Sequence, residues 1–298
     1  VEMATALDPK TAAALDRLGL GVEDALAAGR PVKHRMHALQ LALEAAALAE
    51  QDNVLVHALQ DRAARVAARP PAELPKGLKA TLRPYQEEGY QFLAHLSAQG
   101  FGGVLADDMG LGKTVQTLAW LLHLEEERAA RVVEAGGEPF RVLVVCPKSV
   151  THGWLTEAAR FAPGLEIAAF APGRGGAGAA WAKGVVVANY TQLRLHAAKF
   201  RAVGWDAVVL DEGQFIKNPG SQVAVAARAL RARRRVVLTG TPIENRLADL
   251  WSLFAFAQPG LLGEQAVFRR QYNEADPAAL ARLHRRVRHF LLRRTKAQ

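Results

Sequence analysis

The sequence predicts an α/β fold with a mainly parallel central sheet flanked by helices, preceded by a small helical N-terminal region. Beyond about residue 77, short β-branched apolar runs alternate with segments whose apolar residues recur at helical spacing. The runs are apolar throughout, which is typical of strands buried on both faces of a parallel sheet. They are GGVLA (102 to 106), RVLVVC (141 to 146), VVVA (185 to 188), AVVL (207 to 210) and RVVLT (235 to 239).

The first 69 residues have a different composition. They are rich in Ala and Leu, with apolar residues at helical spacing over 36–50 and 53–69. The stretch from Pro70 to Gly77 then interrupts this pattern, because proline removes amide donors and restricts the residue before it. We therefore predict a helical region at 1–75 and an α/β domain at 76–298. The helical region is either the end of an upstream domain, which could bind protein partners, or a cap on the sheet.

Composition limits the class of protein. Half of the 298 residues are hydrophobic and 22% are charged, as in a packed globular protein. Lys and Arg outnumber Asp and Glu by 38 to 29, a net charge of +9 that favours a polyanionic partner, with nucleic acid first. Cys146 is the one cysteine, and no apolar stretch approaches the roughly 18 residues of a membrane span. We expect a cytoplasmic protein with no internal disulfide and no membrane partner.

The most specific motif is a glycine loop between a strand and a helix. ADDMGLGKT, residues 106 to 114, follows the run GGVLA and precedes a helical pattern. Glycines let the backbone approach phosphate oxygens, a helix N-terminus supplies amide donors, and Lys113 adds a positive charge. The Thr114 hydroxyl can bind Mg²⁺. The predicted phosphate-binding residues are Asp108, Met109, Gly110, Leu111, Gly112, Lys113 and Thr114.

Asp107 stands where the strict motif G-x-x-x-x-G-K-[ST] has its first glycine. This departure argues against kinases and small GTPases and matches the form of the loop in helicase-like motors. The alternative interpretation is a glycine turn with a solvated lysine. The order of strand, loop and helix favours the phosphate loop over that alternative.

An acidic pair, Asp211 and Glu212, directly follows the run AVVL. In open α/β sheets ligands bind at the carboxyl ends of the strands. Phosphoryl transfer to water needs a metal that neutralises the phosphates and a group that orients or deprotonates the water. We assign Asp211, with Thr114, to Mg²⁺ and Glu212 to the water. Alone, such a pair is often a solvated turn, but the phosphate loop favours the catalytic interpretation, with Lys113 as the third catalytic residue.

These motifs resemble the N-terminal RecA-like lobe of Swi/Snf-type ATPases, which are superfamily-two helicase-like DNA translocases. The resemblance covers about Leu78 to Lys296, and Gln214 suggests kinship with bacterial members. TLRPYQEEGYQFL (81 to 93) is similar to the family's adenine-recognition motif, which implies that Gln86 contacts the adenine. DMGLGKT is similar to its P-loop. DEGQ (211 to 214) is similar to its Asp-Glu-x-His box, with Gln214 where many members carry histidine. A glutamine can hydrogen-bond but does not titrate as histidine does.

Further blocks extend the resemblance to nucleic-acid contact and coupling. LVVCPKSVTHGWLTEAARF (143 to 161) and VVANYTQLR (186 to 194) are similar to segments that face the tracked strand in the family. LTGTPIENRLADLWSLFAFAQPGLLG (238 to 263) is similar to the motif that couples hydrolysis to lobe movement, and FLLRRTK (290 to 296) to its closing segment. The residues implied in DNA contact or coupling are Pro147, Lys148, Asn189, Gln214, Thr239, Gly240 and Thr241.

The resemblance implies a nucleoid-associated motor that uses ATP and Mg²⁺ to move along double-stranded DNA and remodel protein–DNA complexes. The family's second RecA-like lobe, with its arginine fingers, is expected after Lys296. These residues alone are therefore expected to bind nucleotide but to hydrolyse it slowly. Two alternatives stay open: a strand-separating helicase or restriction-type translocase subunit, and a non-catalytic DNA-binding scaffold. The presence of both the phosphate loop and the acidic pair disfavours the scaffold.

Two arginine clusters have more than one interpretation. Each fits contact with the phosphate backbone, a solvated face, or a surface that packs on the second lobe. The first is Arg231, Arg233, Arg234 and Arg235, before the predicted strand VVLT, and the second is Arg282, Arg285, Arg286, Arg288, Arg293 and Arg294.

Overall fold

The computed structural model describes residues 71–132, 139–173, 183–240, 247–273 and 275–296. The helices predicted at 36–50 and 53–69 lie outside these ranges, as does Thr241. The described residues form two compact units, one of 71–258 together with the chain from 290 onward, and one of 259–289. The division predicted at residue 75 stays a prediction.

The larger unit is built on a parallel sheet of seven strands, which confirms the predicted fold class. The strands are β1 (Gly103–Leu105), β2 (Arg141–Cys146), β3 (Ile167–Ala169), β4 (Gly184–Asn189), β5 (Gly204–Leu210), β6 (Arg231–Leu238) and β7 (Leu291–Leu292). They lie in the order β3-β4-β2-β5-β6-β1-β7, and every neighbouring pair is parallel. Each of the five predicted runs coincides with all or part of a strand, and β4, β5 and β6 begin before the runs that predicted them. The first arginine cluster was expected to precede a strand but lies within β6, which pairs with β5 from Arg231 onward.

Helices connect the strands of the larger unit. They are α1 (Pro84–Ala98), α2 (Lys113–Val132), α3 (Thr151–Phe161), α4 (Tyr190–Leu195), α5 (Ala197–Ala202), α6 (Gln222–Arg228) and α7 (Leu247–Ala257). The unit of 259–289 contains α8 (Gln265–Gln271) and α9 (Pro277–Val287). In the described part of the chain, every helix is too short or too polar to cross a membrane.

Strands β1, β2, β4 and β5 are buried on both faces along almost their whole length, which explains why the sequence shows them as unbroken apolar runs. On one face Val144 of β2 and Val209 of β5 join a buried cluster with Trp120 of α2 and Trp154 of α3. Neighbouring residues along each strand point to the opposite face. Packing from two layers therefore fixes the strands in position, and the loops at their carboxyl ends begin from these fixed positions.

Candidate active site

The predicted site residues collect along one edge of the sheet. Because all the strands are parallel, the segments that follow them emerge on the same side. The phosphate loop follows β1, the pair beginning at Asp211 follows β5, and Thr239 follows β6, which lies between those two strands. Pro147 follows β2, and Asn189 ends β4 beside it.

The backbone of the phosphate loop requires both of its glycines. Gly110 and Gly112 have φ of 86° and 77°, in the left-handed region that favours glycine. A Cβ on Gly112 would collide with the side-chain amide of Gln86. That amide donates to the Leu111 carbonyl at 3.3 Å, and its oxygen accepts from the Arg83 N–H at 3.0 Å. The structure thus places Gln86 against the loop, and its contact with adenine stays a prediction.

Lys113, the first residue of α2, turns its ammonium into the loop. Its Nζ donates to the main-chain oxygens of Asp107 at 2.7 Å and Asp108 at 3.3 Å. Burial lowers the pKa of Lys113, while the carboxylates of Glu212, Asp211, Asp107 and Asp108 oppose that shift. Thr114 follows in the first turn of α2, and Met109 is exposed at the tip of the loop.

Asp211 is buried and accepts three hydrogen bonds. Its Oδ2 accepts from the indole N–H of Trp154 at 2.9 Å, and its Oδ1 accepts from the Glu212 N–H at 2.9 Å. The Tyr190 hydroxyl donates to its main-chain oxygen at 2.6 Å. Burial raises the pKa of the Asp211 carboxyl, and the Trp154 hydrogen bond opposes that rise. The position of this carboxylate is therefore set by α3 and α4 as well as by β5.

Glu212 has a left-handed backbone, with φ of 54° and ψ of 63°, and is the one non-glycine residue with positive φ in the described ranges. An L-residue in this region costs about 1 to 2 kcal/mol. Its Oε2 accepts from the side-chain amide of Gln214 at 3.0 Å. The amide oxygen of Gln214 is buried and makes no hydrogen bond within the described part of the chain. Gln214 thus contacts the residue predicted to activate water.

The segment predicted to couple the site to movement lies against the phosphate loop. The Thr239 N–H donates to the Leu105 carbonyl at 3.0 Å, and a Cβ on Gly240 would come within 3.1 Å of Met109 Cγ. Thr241 lies outside the described residues. Of the predicted DNA-facing residues, Lys148 is exposed, whereas the Asn189 side chain caps α4 by accepting from the Gln192 N–H at 2.9 Å.

The sequence reasoning missed one ion pair at this site. Asp107 is fully buried, and the Arg294 guanidinium binds it at both oxygens, Nε to Oδ1 at 3.0 Å and Nη2 to Oδ2 at 2.5 Å. Arg294 is therefore neither a solvated residue nor a free DNA contact, as the second arginine cluster had suggested. The sequence did indicate that Asp107 needs a partner, because it directly follows an apolar strand and stands where the motif has glycine. No neighbouring residue in the sequence identifies that partner.

The comparison with protein families identifies the chain. A model described as the SNF2-related domain matches residues 85–298. The chain belongs to the SNF2 family. Among its curated SNF2 relatives, the TATA-binding protein-associated factor MOT1 of Saccharomyces cerevisiae is 37% identical over 254 residues. The putative ATP-dependent helicase/translocase YwqA of Bacillus subtilis is 37% identical over 237 residues.

Solved SNF2 structures share the fold as well as the sequence. The Sulfolobus solfataricus SWI2/SNF2 ATPase core in complex with dsDNA matches with a TM-score of 0.67 and 37% identity, over 77% of this chain and 47% of that one. The same core domain in a second structure matches with a TM-score of 0.68 and 36% identity, over 78% of this chain and 47% of that chain. The alignments with MOT1 and YwqA cover 76% of this chain but only 13% and 25% of those proteins.

Proposed function

We propose that this chain is the ATP-binding first lobe of an ATP-dependent motor that moves along double-stranded DNA and remodels protein–DNA complexes. The observation that carries the proposal is the convergence of the phosphate loop, Gln86 and the acidic pair at one edge of a parallel sheet. The duplex as substrate is supported by the related ATPase core solved with dsDNA. Coverage of 47% of that core is what one lobe of two would give.

The residues present fit a nucleotide with Mg²⁺. The loop offers two glycines of positive φ, the N-terminus of a 20-residue helix and the Lys113 ammonium, all of which suit phosphate oxygens. The described ranges hold no group of three carboxylate, histidine or cysteine ligands. Mg²⁺ bound together with substrate phosphates needs only one or two protein oxygens. The Asp211 carboxylate and the Thr114 hydroxyl would supply them, and the bound ion would neutralise phosphate charge.

In the proposed mechanism each residue has a separate task. Gln86 fixes the base, and Lys113 exchanges its main-chain partners, Asp107 and Asp108, for phosphate oxygens. Trp154 keeps the Asp211 carboxylate in one orientation. Glu212 orients the attacking water and accepts its proton; Gln214 engages Oε2, and Oε1 serves as the acceptor. The phosphate loop and the segment that begins at Thr239 are in contact, so a shift of the loop would displace that segment.

Turnover by this lobe alone is expected to be slow. The arginine that the structure brings to the loop, Arg294, is committed to the Asp107 carboxylate. An arginine finger that stabilises transition-state charge contributes about 10³ to 10⁵ in rate. We propose that the finger comes from the second lobe of the motor. Rapid, DNA-stimulated hydrolysis by these 298 residues alone would contradict the proposal.

Calorimetry with ADP and Mg²⁺ tests the proposal directly. Wild type should bind, and Lys113→Ala should abolish binding because the ammonium is lost from the loop. Lys183→Ala is the matched control, since Lys183 is exposed and directly precedes β4. It therefore lies at the amino ends of the strands, whereas the site lies at their carboxyl ends. Absence of binding by both wild type and Lys113→Ala would favour the scaffold alternative, and equal binding by both would contradict the role proposed for Lys113.

A further inference from the structure

One arginine near the end of the described chain ties together three segments of the site. Arg294, which follows β7, is only 12% exposed. Besides its paired bonds to Asp107, it donates through Nη2 to Gln116 Oε1 of α2 at 3.0 Å and through Nη1 to the main-chain oxygen of Tyr85. The exposed carboxylate of Glu88 adds a longer contact of 3.5 Å. Arg294 therefore joins α1, the phosphate loop and α2.

The main chain strengthens the same connection. The Asp108 N–H donates to the Arg294 carbonyl at 3.0 Å, and the Lys296 N–H donates to Asp108 Oδ2 at 3.2 Å. The segment after β7 thus runs alongside the phosphate loop and is hydrogen-bonded to it at Asp107 and at Asp108. Both the backbone and the side chain of Arg294 take part.

We propose that Arg294 is a positioning residue for the nucleotide, holding the phosphate loop and the start of α1 in the one arrangement that binds it. This inference rests on the proposed function. Asp107, which replaces the usual first glycine of the loop, is held in place by its ion pair with Arg294.

The geometry explains how a side chain outside the pocket can govern binding inside it. The Lys113 ammonium donates to the main-chain oxygen of Asp107, so a shift of Asp107 moves the acceptor that sets the position of that ammonium. The Leu111 carbonyl accepts from both Gln86 and Gln116 at 3.3 Å. Gln116 in turn is bonded to Arg294, so loss of the guanidinium loosens the loop and the base-recognition residue together.

The fork of the guanidinium is essential to this arrangement. Arginine presents paired donors in a rigid plane that matches both oxygens of a carboxylate, whereas lysine offers a point charge. The Asp107 carboxylate is fully buried, so removal of Arg294 leaves it with only the 3.4 Å hydrogen bond from the Gln116 amide and the more distant Lys113 ammonium. Removal of both charges avoids that penalty, which makes the pair suited to a double-mutant cycle.

The test measures the ADP dissociation constant by calorimetry, with Mg²⁺ present, for variants whose folded fraction is checked by circular dichroism and urea unfolding. Partners one contact removed from a site's ligands cost about 10- to 100-fold in metal affinity when mutated. We expect Arg294→Gln to weaken ADP binding about tenfold or more, and Arg294→Lys to recover little of it. Arg293→Gln, an exposed neighbour with the same change of charge, should bind as wild type does.

The cycle is completed with Asp107→Asn and with the double variant Asp107→Asn/Arg294→Gln. The double variant should bind ADP more tightly than the product of the two single effects predicts. If Arg294→Gln does not fold, Arg294→Lys and the double variant still decide the question.

Three outcomes would overturn the inference. The first is a folded Arg294→Gln with the wild-type dissociation constant, which would show that the arginine only stabilises the fold. The second is full recovery by Arg294→Lys, and the third is a double variant whose effect is simply additive. Failure of wild type to bind ADP would instead contradict the proposed function, so the two failures are distinguishable.

Discussion

Trp154→Phe tests the coupling between α3 and the acidic pair. The indole N–H of Trp154 donates to Asp211 Oδ2 at 2.9 Å, and the tryptophan is fully buried. Phenylalanine keeps most of the apolar volume but has no donor. Asp211 is only 7% exposed, so the carboxylate oxygen that the substitution leaves without a donor has little access to water. The expected result is a loss of stability that reports on this one hydrogen bond.

The magnitude follows from the type of acceptor. A hydrogen bond to a charged group contributes about 1.5 to 3 kcal/mol, compared with about 0.5 to 1.5 kcal/mol for a neutral pair. Two other fully buried tryptophans donate to neutral acceptors: Trp120 to Ser97 Oγ at 2.7 Å and Trp205 to the Phe200 carbonyl at 3.0 Å. Trp→Phe at those sites shares the loss of volume. We therefore expect Trp154→Phe to cost about 1 to 2 kcal/mol more than either control.

The excess cost should depend on pH in one direction. Burial raises the pKa of the Asp211 carboxyl above its ordinary value of 3.8, and the Trp154 hydrogen bond opposes the rise because it stabilises the charged form. Removal of the N–H raises that pKa further. The excess exists only while Asp211 is ionised, so it is complete above the folded-state pKa and shrinks as pH falls through that pKa.

Urea unfolding followed by circular dichroism at several pH values measures all three variants. A Trp154→Phe variant that costs no more than Trp120→Phe and Trp205→Phe at the highest pH of the series would refute the reasoning, because the charged acceptor would then contribute nothing. An excess that stays constant as pH falls would refute the assignment to an ionised carboxylate.

Backbone conformation supplies the remaining predictions. Gly112→Ala and Gly100→Ala both place an alanine at positive φ, 77° and 75°, and each should cost about 1 to 2 kcal/mol in urea unfolding. Only the change at Gly112 meets the Gln86 amide, so only it should also weaken ADP binding; equal ADP affinities would contradict this contact. Glu212→Gly, freed from left-handed strain, should be about 1 kcal/mol more stable than Glu212→Gln, with hydrolysis lost in both. Equal stabilities would show that the strain is absent.

Much of the site could be predicted because each of its motifs is a short contiguous segment of the sequence. The phosphate loop is a contiguous segment whose two glycines are required by the backbone at 110 and 112. The acidic pair follows a strand directly, and unbroken apolar runs mark strands that both layers of helices cover. The two-residue β7 and the three-residue β3 were not among the predicted strands. The structure identifies them by their pairing with β1 and β4.

The partners of these residues could not be predicted, because they lie far away in the chain. Arg294 is 187 residues from Asp107, and Trp154 is 57 residues from Asp211. From the sequence, Arg294 was one of several basic residues near the end of the chain, and Trp154 was only one residue of the segment 143–161 that resembles a family motif. Burial changed both interpretations, since a buried charge or carboxylate oxygen needs a partner that composition does not name.

The sequence by itself determined the parallel α/β fold, the family, and the chemical groups available for phosphate, Mg²⁺ and water. Those features depend on local spacing and on the types of residue, both of which can be read directly. Only the tertiary structure decided how the groups are held: Asp107 by Arg294, Asp211 by Trp154 and Tyr190, and the phosphate loop by Gln86. The physical reason is that these contacts join distant segments, and only packing of the whole sheet brings them together.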